Sequence, residues 1–375
     1  LPAIPRRQRQ MCIRDRISMG PQHPMTHGLW TLKVKVDGET ITDADPELGY
    51  LHRSVEKMGE RRKYFMNTTL TDRLCYASST TWTHNYVLSV EELMSVEVPT
   101  RAQYIRTIML EIQRLASHLM WAGAYMPDLG HITGALYFWR DRELFLNLLE
   151  LPSGSRLLYN YIRIGGVKRD LPDGFEQKTE RILSLFEQRL DEYADLFENS
   201  KIFRMRTEDV GKFTASQAMN MGITGPNLRG CGVKHDLRVE DTYEIYEEVD
   251  WNVSTREAGP GYSDCFSRYM VRIDEMRESV KIIRDCFKKM PKGPTMSSRV
   301  PVRASGEAFR RTEDSRGEAL MYLVGDGSDR PYRWKIKSPM FTTISACPHY
   351  LKGYKVADIP AIMGSIDICI GETDK

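Results

Sequence analysis

Apolar positions change their period along the chain, and each change predicts a different element. Leu32, Val34 and Val36 alternate with polar residues and run into Asp37-Gly38, the pattern of a strand entering a tight hairpin turn. From about residue 47 the period becomes helical. Residues 70–94 read as one helix. A second opens at Thr100, with Gln103 as the partner of a capping box, and Ile105, Ile108, Met109, Ile112, Leu115 and Leu119 recur at helical spacing. A third covers 133–151. Residues 174–199 form the clearest amphipathic helix, with Ile182, Leu183, Leu185, Phe186, Leu190 and Tyr193 on one side and charges on the other. Residues 262–289 read as a further helix. Between 290 and 316 Pro, Gly, Ser and Arg accumulate without an apolar period, which predicts a loop. Residues 318–339 then read as two strands around a glycine-containing turn, and a last helix falls at about 355–364.

The sum is an α+β fold, a long-helix bundle with small antiparallel sheets near the N-terminus and in the C-terminal third, without βαβ alternation. The expected organisation is an N-terminal loop and hairpin (17–46), a helical bundle (47–290), a loop (291–316) and a C-terminal hairpin and helix (317–375) packed into the same domain. Residues 1–16, "LPAIPRRQRQMCIRDR", are Arg-rich and have poor helical amphipathicity. An organellar targeting segment is the other reading, but they match translated adapter sequence better and are expected to be non-native or disordered. On that reading the true start and any targeting signal are missing.

Composition narrows the function. A formal net charge of +2 argues against a dedicated nucleic-acid binder. No run of about 18 uncharged apolar residues could span a bilayer, so any membrane is expected to be reached through a partner. Seven cysteines are scattered in sequence without a close pair, which is neither a disulfide framework nor a zinc or iron–sulfur pattern and suits a reducing compartment. No phosphate-binding glycine motif follows a strand, so no dinucleotide site is expected on this chain.

Candidate chemistry begins with "GPQHPMTHG", where His23 and His27 sit in a loop stiffened by Pro21 and Pro24. In "DRLCYASS", Cys75 precedes Tyr76 in what reads as a helix. Each residue also has a plainer reading. The histidines would be structural turn residues, and Tyr76 a core tyrosine hydrogen-bonded at its edge. Asp128 would be a helix-end acid, and Arg53 one half of a surface ion pair with Glu56 or Glu60. Cys75 and Cys369 raise a nickel–iron site, which needs two thiolates from each end of the chain. Here Ser78 and Glu372 stand three residues after each cysteine, and two thiolates with two oxygens make a poor soft-metal cage. Each cysteine alone reads as a small buried hydrophobe.

Taken in order, "GPQHPMTHG", "DGETITDADPELGYLHRSVEK", "DRLCYASS", "DLGHITGALYFWRDRE", "YIRIGGVKRDLP", "GPNLRGCGVKHDLR", "RGEALMYLVGDGSDRPYRWKIKSP" and "KVADIPAIMGSIDICIGETD" resemble the D-subunit family of NADH–quinone oxidoreductase, respiratory complex I. That family is itself hydrogenase large-subunit-like. The match runs from about residue 18 to the C-terminus and is weakest at 290–316. The resemblance implies a quinone-site core subunit that is active only within its complex. It implies that His27 and Tyr76 contact a quinone, that Asp128 is hydrogen-bonded to His27, and that Arg53 lies beside the terminal iron–sulfur cluster of a neighbouring subunit. It further implies no metal or cofactor held by this chain alone, and a position peripheral to the membrane on the cytoplasmic side. The implied partners are a cluster-bearing small (B-type) subunit, a C-type hydrophilic subunit and a membrane H-type subunit. Two departures stand out: Cys75 replaces the usual Asp before the tyrosine, and Leu158 replaces a histidine near the cluster. The remaining alternatives are a nickel–iron hydrogenase large subunit, disfavoured by the missing second cysteines, and a non-catalytic assembly subunit.

Overall fold

A computed structural model describes residues 16–23 and 26–375. The adapter-like reading of 1–15 and the contribution of Pro24 lie outside the described residues. Arg16, placed with the non-native segment by sequence, instead begins a strand, Arg16–Met19, that pairs antiparallel with Thr31–Asp37. Thr31–Asp37 and Thr40–Glu47 form the expected hairpin, in which Leu32, Val34 and Val36 are buried while the lysines between them face out. The hairpin register closes at Asp37 opposite Thr40, so Gly38 and Glu39 occupy the turn. Gly38 has φ +62°, a conformation that costs glycine little.

The centre of the molecule is the helix Thr100–Asp128. Its 29 residues span about 44 Å. The six apolar residues that marked it in the sequence are all fully buried. So are Arg106, Glu111 and His118, because the helix is enclosed on nearly all sides. It packs against Ile132–Ser153 and Cys265–Lys289. Its expected capping box is absent: Pro99 takes the N-cap position, and Gln103 Nε2 donates to Val98 O at 3.1 Å instead.

Two other expectations change. The predicted helix 70–94 is broken into Tyr64–Thr71 and Ser79–Met94, so Cys75 and Tyr76 lie in a turn between helices. Side chains from elsewhere satisfy the backbone of this break. Gln113 Nε2 donates to Ala77 O at 2.7 Å and Arg53 Nη2 to Arg73 O at 3.0 Å, so helical hydrogen bonds are not needed there. The predicted loop 290–316 also ends early, because Ser305–Asp314 is a strand. Its Glu307, Arg310 and Arg311 answer Tyr322, Glu92 and Asp241, and this charged outer face hid the strand's period. It forms a hairpin with Gly317–Asp326, and Arg333–Lys337 completes an antiparallel sheet. The tip of that hairpin, Ser315-Arg316, is buried, an unusual place for a turn.

Candidate functional site

Three segments distant in sequence meet at one wall: the loop 20–28, the break 72–78 and the C-terminal stretch 364–372. The contacts are close enough to require glycine. A Cβ on Gly28 would lie 2.7 Å from Ile370 Cγ1, and one on Gly371 would lie 2.7 Å from Leu74 O. At Gly364 a Cβ would sit 2.8 Å from Asp128 Oδ2. Any side chain at these positions would push the segments apart.

The histidine loop is latched from inside. Thr26 is fully buried and its Oγ1 lies 2.7 Å from His23 O and 2.8 Å from Gly28 O, which share its single proton, while Trp30 Nε1 donates to Thr26 O at 2.7 Å. His27 is thereby held at φ +48°, a left-handed conformation uncommon outside glycine and one that clusters at functional sites. Its Nε2 stands 2.6 Å from Asp128 Oδ2, at the C-terminal end of the central helix and 101 residues away in sequence. Both side chains are partly exposed, at 14% and 12%. Asp128 is therefore a helix-end acid with a specific partner.

Tyr76 projects from the break with 46% of its surface exposed. Burial of its inner part, with the nearby Cys369, pushes its phenol up to about 12, so at neutral pH it keeps its proton and acts as a neutral donor. Arg53 makes no ion pair with Glu56 or Glu60, because lysines and Arg333 engage those carboxylates. Arg53 Nη2 donates to Arg73 O and to Gly371 O at 3.3 Å, and among the described residues no carboxylate neutralises it. Leu158 has φ +58° at the end of the turn after Ile132–Ser153.

Behind Tyr76 lies a cluster whose convergence sequence reading missed. Cys75 and Cys369 are buried with their sulfurs 3.4 Å apart. Arg316, from the buried hairpin tip, places Nη1 3.3 Å from Cys75 Sγ and pairs through Nη2 with Asp367 at 2.9 Å. Ser78 donates to Asp314, and Glu372 accepts from Ser338 at 2.9 Å and Trp82 at 3.2 Å. Burial and the neighbouring Cys369 push Glu372 well above the usual carboxylate range, so it is held neutral. The ligand-type atoms of Cys75, Cys369 and Glu372 lie within 4.8 Å of one another. Two sulfurs and a neutral carboxyl, with a guanidinium beside one sulfur, fit a divalent cation poorly. The signal available in sequence was Asp367, a lone acid between Ile366 and Ile368; Arg316 stands in a charged run and gave none.

A family model described as the respiratory-chain NADH dehydrogenase 49 kDa subunit matches residues 128–304 and 299–375. The chain is 42% identical to the D subunit of the F(420)H(2) dehydrogenase of Methanosarcina mazei, over 96% of this chain and 97% of that protein. It is 43% identical to the D subunit of the NADH-quinone oxidoreductase of Dehalococcoides mccartyi, over 96% and 98%. It is 44% identical to the H subunit of the NAD(P)H-quinone oxidoreductase of Synechocystis, over 96% and 97%.

Proposed function

The chain belongs to the family of the respiratory-chain NADH dehydrogenase 49 kDa subunit, and from this membership we propose that His27, Tyr76 and Asp128 form the headgroup site at which a complex I-type oxidoreductase reduces a quinone. The chain is a subunit of such an oxidoreductase complex; the site and its chemistry are our reading. The observation that carries it is the 2.6 Å contact of His27 with Asp128, made on the wall that also bears Tyr76.

Two-electron reduction of a quinone builds negative charge on its oxygens and consumes two protons. Donors already aimed at those oxygens stabilise the charge without reorganising. Tyr76 would donate from a phenol that stays protonated, and His27 from an imidazole whose Nε2 is fixed by Asp128. Asp128 orients the ring through that contact, so its other nitrogen is presented in a fixed direction. Electrons would come from an iron–sulfur cluster on the neighbouring small subunit, and the un-neutralised Arg53 would favour its reduced state. The seven cysteines of this chain make no cluster motif of their own.

The site lies open on this chain, which supports its completion by partners. Ile132, Leu136 and Trp139 begin four residues after Asp128, share one helical face and are 72%, 63% and 47% exposed. No helix among the described residues is long and apolar enough to cross a membrane. We therefore assign the small, hydrophilic and membrane-arm subunits as neighbours, with the chain peripheral on the cytoplasmic side. Kinetics of the assembled complex test the site. Tyr76→Phe and His27→Ala should each lower quinone reduction by about 10²- to 10³-fold with assembly intact. Wild-type rates in both variants would refute the assignment.

A further inference from the structure

We propose that Cys75 and Cys369 are a two-electron dithiol–disulfide couple that a quinone bound beside Tyr76 oxidises. This inference rests on the headgroup reading above. The geometry comes first. The two sulfurs belong to segments 294 residues apart, are buried, and already lie at 3.4 Å. A disulfide needs about 2.05 Å, so the sulfurs must close by about 1.4 Å, a distance within reach of side-chain rotation. Cys369 Sγ donates to Cys75 Sγ at 3.4 Å, and Arg316 Nη1 reaches the same sulfur at 3.3 Å. Arg316 thus supplies the fixed positive charge that favours a transient thiolate in the pair.

Access to an oxidant comes through Tyr76, which follows Cys75 directly and is half-exposed at the proposed headgroup site. The reaction balances within the two sites. The two S–H bonds are lost, the S–S bond forms, and two electrons and two protons pass to the quinone oxygens to give the quinol. Quinones are competent oxidants of protein dithiols. The bond also has a mechanical consequence. It would tether the stretch carrying Ile370 and Gly371, which abut Gly28 and Leu74, to the break carrying Tyr76.

The test uses the assembled, donor-free complex, prereduced with dithiothreitol and desalted. Its probes are duroquinone, whose fully substituted ring cannot add a thiol, and diamide, which needs no quinone site. Free thiols are alkylated under denaturing conditions and peptides are mapped by mass spectrometry. The expected result is a Cys75–Cys369 linked peptide with both probes, one duroquinol formed per disulfide, and loss of both signals in Cys75→Ser and in Cys369→Ser. Failure of diamide to link the pair overturns the couple itself. Linkage by diamide but not by duroquinone, in a complex that reduces duroquinone when given its donor, overturns the quinone as oxidant and leaves the headgroup reading standing. A complex that never reduces or binds duroquinone refutes that reading, and with it the quinone step. Zinc or nickel retained stoichiometrically on the two sulfurs of the isolated complex also overturns the couple.

Discussion

Two charged regions of this chain are built on opposite plans. Around Arg229 the buried charges are paired with one another. Its Nε and Nη2 donate to Glu275 Oε1 at 2.8 and 2.5 Å, and its Nη1 to Glu313 at 2.7 Å, while His118 takes the other oxygen of Glu275 at 2.9 Å. Nearby, Glu111 accepts from Tyr246 and Ser279, both at 2.6 Å, and pairs with Arg238. All of these groups are buried. Burial alone would raise the Glu275 carboxyl, yet Arg229 and His118 hold it well below the usual range. At the open wall, His27 is instead met by Asp128 through one ring nitrogen, and Tyr76 stands half-exposed. The first arrangement fixes the helices, and on the proposed reading the second leaves donors for a ligand. On that reading it is the partly exposed wall, and not the density of charge, that marks the site.

Substitutions sharpen this contrast. The largest effect belongs to the closed network. Arg229→Met strands Glu275 and Glu313 in the core and should cost about 3–5 kcal/mol, read as a lowered denaturant midpoint or loss of accumulation. The same logic applied to the open wall gives loss of rate without loss of fold, as for Tyr76→Phe.

Asp72 is an intermediate case, a fully buried acid that accepts from the Thr83 hydroxyl at 2.6 Å and, among the described residues, forms no ion pair. Burial pushes it up to about 6 from 3.8. Below about pH 3 it is protonated whether the chain is folded or not. As pH rises towards 6 the unfolded state releases the proton first, so folded stability falls and the full penalty is present above pH 6. Asp72→Asn should therefore stabilise the fold by about 2–3 kcal/mol at pH 7 and by almost nothing at pH 3, measured by denaturation at the two pH values. Equal effects at both would show that the carboxyl is not held against ionisation.

Asp128→Asn should act on rate through His27. Quinone reduction should fall about 10- to 100-fold in kcat with KM little changed, because orientation is lost and contact is not. A change confined to KM would instead make Asp128 part of the binding surface. The smallest effect falls on Arg53→Met, which removes an exposed charge held only by carbonyls. It should leave stability within about 0.5 kcal/mol and shift the partner cluster's potential downward, read by redox titration of the complex.

Much of the fold was legible because period and burial coincide. The alternation in Leu32, Val34 and Val36 and the helical recurrence from Ile105 to Leu119 are direct records of which faces are covered. The misses share one cause, which is tertiary satisfaction that sequence does not display. The break at Cys75 depends on Gln113 and Arg53, and the strand Ser305–Asp314 was hidden by charges paired across space. The pairing of His27 with Asp128 was available only through family resemblance, since nothing local links residues 101 positions apart. Arg316 stands within a segment that matches the family, but its reach to Cys75 and Asp367 follows from the buried hairpin tip and could not be read from composition.

On the proposed reading, Tyr76 and the His27 loop together receive a quinone headgroup. Photolabelling of the assembled complex with an azido-quinone, followed by peptide mapping, addresses it directly. The account predicts label on the peptides containing Tyr76 or His27, displaced by excess unlabelled quinone. Displaceable label confined to other faces of this chain or to other subunits would contradict it.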